Sequence, residues 1–143
     1  MKAFATAQRG VGLIEVLIAV LVLAVGLLGV AGLQLTALRN NQSAMERSMG
    51  VVQSYSIIEA IRADPDSAKN GRFNVAIDDD PSGSTFPAQS LATWRDQLKA
   101  SMGDSATGSV ACDGSSCTVI VRWDDSRGLD GSATQEMTTE VQL

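Results

Sequence analysis

The chain has 143 residues, enough for one small domain plus an added segment, with a formal net charge of −5 and no histidine. The acidic balance repels phosphate backbones and argues against nucleic-acid binding, and no basic cluster offsets it. The missing histidines remove the commonest general base and zinc ligand, and two cysteines, Cys112 and Cys117, are too few for a structural zinc site. No enzymatic activity, cofactor or metal is expected.

Met1–Gly10 is short and polar, carries Lys2 and Arg9, and ends in Gly just before an apolar run. From Val11 to Leu33 only Glu15 is charged. A helix over that stretch is ~34 Å long, against a bilayer hydrocarbon core of ~30 Å, so it can span a membrane. A conventional secretory signal is a poor fit, because the apolar run is too long and no A-x-A-like site follows it. Cleavage after Gly10 would instead leave the apolar segment on the mature chain, and losing Lys2 and Arg9 would take the charge to −7.

The stretch Arg9-Gly10-Val11-Gly12-Leu13-Ile14-Glu15-Val16-Leu17 resembles the class III signal of type IV pilins and pseudopilins. The resemblance implies cleavage by a prepilin peptidase between Gly10 and Val11, N-methylation of Val11, and a subunit-assembly role for Glu15 at the fifth mature position. The sequence departs from the family in one respect, since Val11 stands where Phe is most frequent. The run Val16–Gln34 and the later Val119-Ile120-Val121-Arg122-Trp123-Asp124-Asp125 are similar to PilV-type minor pilins, the pilus modification subfamily. That similarity implies a type IV pilin-like α+β fold, a long N-terminal helix against a small antiparallel head. It also implies a role in priming pilus assembly at the tip. The implied partners are other minor pilins, the major pilin, the peptidase, the inner-membrane assembly platform and the membrane itself. A type II secretion pseudopilin or an adhesive minor pilin would share the leader.

A carboxylate at mid-helix in a bilayer costs about 2.5–3.5 kcal/mol, less near an end. Glu15 lies four residues from Val11, so it can sit at the interface and favour its own helix N-terminus. The resemblance adds a partner, the amine that cleavage creates on a neighbouring Val11. In an apolar filament core an unpaired charge is heavily penalised, so such a pair selects register.

Gly26, Gly29 and Gly32 recur every three residues. They suit close helix packing, or simple tolerance of Gly in membrane helices. They also suit a helix that melts during assembly, since each Gly costs about 1 kcal/mol against Ala. From Gln34 to Ala63 there is no proline, and Leu35, Leu38, Met45, Met49, Val52, Tyr55, Ile58 and Ile61 follow helical spacing. This predicts an amphipathic continuation whose stripe faces the head, giving one helix of ~80 Å. Pro65 stops it. A bitopic anchor with a juxtamembrane helix would explain that length, but not the Gly10–Glu15 signal.

The head, Asp64–Leu143, is Gly/Ser/Asp-rich and too small to make a comfortable core alone. Arg72–Ile77 reads as a strand or a loop. Leu91–Leu98 reads as a short helix burying Leu91, Trp94 and Leu98. Val110–Cys112 and Cys117–Trp123 read as a hairpin around Asp113-Gly114-Ser115-Ser116, with Val119, Val121 and Trp123 on one face. Thr134–Leu143 reads as a third strand. A Cys112–Cys117 disulfide would staple the hairpin and place the head in an oxidising compartment, the periplasm; buried free thiols are the alternative. The charge count across the span is nearly tied, with Lys2 and Arg9 before it and Arg39 and Arg47 after it, so topology rests on the cysteines. Asp78-Asp79-Asp80 and Asp124–Gly131 lack the order of an EF-hand loop and read as solvated turns, with calcium binding or docking of another minor pilin as lesser readings.

Overall fold

The computed structural model describes residues 10, 12–129 and 131–143. It divides into two compact units, one ending at Leu38 and one running from Arg39 to Leu143. The elements are α1 (Leu13–Ala63), α2 (Pro65–Lys69), α3 (Phe86–Met102), β1 (Thr107–Cys112), β2 (Ser116–Trp123) and β3 (Gln135–Gln142). This is the α+β, pilin-like arrangement of a long N-terminal helix and a small three-stranded antiparallel sheet.

In the first unit α1 is unbroken through Gly26, Gly29 and Gly32. A Cβ at any of the three would meet nothing within 4 Å. The helix ends at Ala63, as the Asp64–Pro65 step requires. Asp64 then starts α2 directly, its carboxylate accepting the Ser67 N–H at 3.1 Å.

In the second unit the sheet order is β1-β2-β3. Val119, Val121 and Trp123 point into the core, as their alternation predicts, and Cys117 joins them. Facing them are Ile57, Ile58 and Ile61 of α1 and Leu91, Trp94 and Leu98 of α3. Helix α3 is a full 17 residues, about twice the predicted length, with Pro87 in its first turn and Gly103 closing it at φ +102°. The Arg72–Ile77 segment contributes one isolated bridge, Val75 to Val110, and is otherwise a loop.

The stripe of α1 that faces the head differs from the expected one. Met49, Ile58 and Ile61 do face it, but Met45, Val52 and Tyr55 are 57–62% exposed. Their places are taken by small and polar residues: Ser43, Glu46, Gly50, Gln53 and Ser54. The reason is steric and polar. The Trp123 ring and the Met137 side chain sit over Gly50, where a Cβ would lie 3.6 and 3.5 Å from them. The Trp94 indole donates to the Gln53 carbonyl at 2.9 Å, and Ser54 turns its hydroxyl back onto the Gly50 carbonyl at 2.9 Å.

Candidate functional site

Glu15 stands in the first turn of α1, where the Gly12 carbonyl accepts the Glu15 and Val16 N–H groups at 3.0 and 3.3 Å. Its carboxylate is therefore next to the positive end of the helix dipole. Glu15 is exposed, and it borders a shallow apolar hollow formed with Val16, Ala19, Val20 and Leu23. Gly10, also exposed, precedes the helix. Val11, the expected methylation site, and residues 1–9 lie outside the described residues.

Beyond Glu15 the first unit is a bare apolar cylinder. Its most apolar 18-residue window has mean hydropathy 2.9, and none of it is buried. A contiguous apolar surface of that size requires lipid or protein around it, and the helix is long and apolar enough to cross a membrane. A single carboxylate at the mouth of such a surface can bind one cation strongly while water is excluded.

The head supplies anchoring geometry. Cys112 and Cys117 are bonded, and they face each other across one register pair of the β1–β2 hairpin. The turn between them is closed by Asp113, whose carboxylate accepts the Ser116 and Ser115 N–H groups at 2.9 and 3.1 Å. Those bonds hold the Asp113 carboxyl below its usual range.

The two acidic stretches behave differently. Asp78, Asp79 and Asp80 are exposed. They lie beside Arg95, whose side chain is only 7% exposed and comes within 3.9 Å of Asp80. Arg95 donates to the carbonyls of Ala76, Asp79 and Gly108, with Ala76 at 2.6 Å and Gly108 at 2.7 Å. Burial lowers its pKa and the three aspartates oppose that shift.

The second stretch is largely exposed turn, as expected, and Asp125 is the exception. It is 2% exposed, accepts the Ser43 hydroxyl at 2.6 Å, and receives the Gly128 N–H on its carbonyl. With the Arg127–Glu46 pair at 3.5 Å, it ties the β2–β3 connection to α1. Among the described residues no group of three or more His, Cys, Asp or Glu side chains could hold a metal ion.

The family model of the prokaryotic N-terminal methylation motif matches residues 6–31. The match covers Gly10, Val11, Glu15, Gly26 and Gly29 and none of the head. The amino-terminal segment is thus type IV prepilin-like, and its apolar helix fits a membrane anchor. No curated protein and no solved structure matches the chain.

Proposed function

We propose that the chain is a PilV-like minor pilin, a structural subunit that takes part in priming type IV pilus assembly at the tip. The observation that carries this reading is the lone carboxylate of Glu15 in the exposed apolar segment Leu13–Leu33 of α1, inside the methylation motif. A prepilin peptidase cleaves after Gly10 and methylates Val11, and removal of the leader frees the Val11 amine. That amine on a neighbouring subunit neutralises Glu15 as the helices dock, so processing becomes a condition for assembly. The Cys112–Cys117 bond supports a head in the periplasm, with the apolar part of α1 held in the inner membrane until the assembly platform and sibling pilins take it up. The α1 segment at Gly26, Gly29 and Gly32 is the place where the helix would extend during that transfer.

Glu15→Ala tests the pairing. The variant is expected to be cleaved normally and to enter filaments poorly; full incorporation would refute it. The methylation motif suits a type II secretion pseudopilin equally well, and deletion separates the two, abolishing twitching in one case and protein secretion in the other.

A further inference from the structure

The outer edge of β3 is open. Strand β2 occupies one side of it, and among the described residues no strand lies on the other. The hydrogen-bond parity of that edge follows from the Leu143 N–H bond to the Ser115 carbonyl at 3.0 Å, one step beyond the Ser116–Gln142 pair. Bonded and non-bonded pairs alternate in an antiparallel ladder. Val141, Thr139 and Met137 therefore spend their backbone groups on β2. Glu136, Thr138, Glu140 and Gln142 turn their N–H and C=O groups outward. The opposite edge of the sheet is partly used, because Val75 pairs with Val110 of β1.

Gln135–Gln142 contains no proline, glycine or lysine, and its register with β2 runs without a bulge. Its inward residues Met137, Thr139 and Val141 are only half buried, so one more strand would finish covering them. Its sole charges are Glu136 and Glu140. Glu136 is paired with Arg122 at 2.6 Å, while Glu140 lies opposite Thr118 and is in no ion pair among the described residues.

Those two glutamates decide what can dock. A second copy paired about Thr138 would set Glu136 directly against the partner's Glu140. Pairing about Thr139 avoids that contact but leaves Glu140 diagonal to the partner's Glu136 and to its Glu140. Like charges on neighbouring strands destabilise a pair, and the chain is acidic overall.

We propose that the β3 edge accepts one extended strand of a different protein, with Lys or Arg at the alternate positions beside Glu136 and Glu140 and apolar residues beside Met137 and Val141. Backbone bonds to Glu136, Thr138, Glu140 and Gln142 supply affinity, and the alternating side chains supply selection. The proposal stands apart from the reading of the amino-terminal segment, since it uses only the sheet.

The test uses the full chain in detergent micelles with two synthetic peptides, one alternating Lys and Val and one alternating Glu and Val. The Lys/Val peptide is expected to bind in calorimetry and to slow amide exchange at Glu136, Thr138, Glu140 and Gln142. Thr138→Pro removes an outward N–H without touching the β2 ladder, and it should weaken binding about tenfold or more. Glu140→Lys should shift preference toward the Glu/Val peptide. A Lys/Val peptide N-methylated on the amides that face β3 should bind no better than the weakened variant, and this arm holds even if Thr138→Pro does not fold. Binding unchanged by both the proline and the N-methyl groups would overturn the proposal, as bulk charge attraction. Self-association of the chain abolished by Thr138→Pro would also overturn it, by making a second copy the occupant.

Discussion

Arg95→Leu isolates the guanidinium while keeping the apolar stem of the side chain. The wild-type cation is buried and donates to three carbonyls. Gly108 is itself buried, so its carbonyl would lose its donor with no water to replace it, at a cost of about 1–3 kcal/mol. Ala76 and Asp79 are exposed, so water recovers most of those bonds at under about 1 kcal/mol each. Relief from burying a cation offsets part of the sum. The expected net loss is about 1–4 kcal/mol, equivalent to a fall in Tm of roughly 5–20 °C for a unit of this size. Arg95→Lys keeps one point donor and should lose about half as much. Thermal unfolding in micelles, followed by near-ultraviolet circular dichroism of Trp94 and Trp123, reads the effect. Faster amide exchange at 76–80 should accompany it. Arg95→Leu within about 0.5 kcal/mol of wild type would refute the assignment of Arg95 as the clamp on this loop.

Gly50→Ala should be neutral or stabilise the chain by up to about 1 kcal/mol, because the new Cβ meets Met137 and Trp123 only at ordinary contact distance; a drop in Tm would show that the ring cannot accept it. Replacing both Cys112 and Cys117 with Ser should cost about 2 kcal/mol in urea unfolding, the chain-entropy value for so short a loop. Asp113, held ionised by the Ser116 and Ser115 N–H groups, should titrate below its ordinary value of 3.8 in a carbon-detected NMR titration. Its folded pKa is depressed, so its contribution is complete above 3.8 and is lost as pH falls through the lower folded value. A midpoint at or above 3.8 would contradict that geometry.

Punctuation and alternation are legible in the sequence alone. Pro65 ends α1 where expected, and Val119, Val121 and Trp123 share the inward face of β2. The face that α1 turns to the head was not readable. Met45, Val52 and Tyr55 carry the hydrophobic period, yet the contact goes to Gly50, Gln53 and Ser54, because the Trp123 and Trp94 rings need a small residue and a carbonyl beneath them. Arg95 gave no signal either, since its role depends on carbonyls of residues 76–79 and 108 that only the fold brings together. Asp125 looked like one more turn aspartate, and its partner Ser43 is 82 residues away. The role proposed for Glu15 rests on the resemblance of the Arg9–Leu17 stretch to the pilin signal, within the matched methylation motif. The partner it is proposed to meet belongs to another subunit, and single-chain geometry supplies only the accessible carboxylate.

Intact-mass spectrometry of this chain from sheared filaments tests the central proposal most directly. The account predicts the mass of residues 11–143 with one added N-methyl group and the Cys112–Cys117 bond intact. A chain found only in the membrane fraction with residues 1–10 still attached would contradict it.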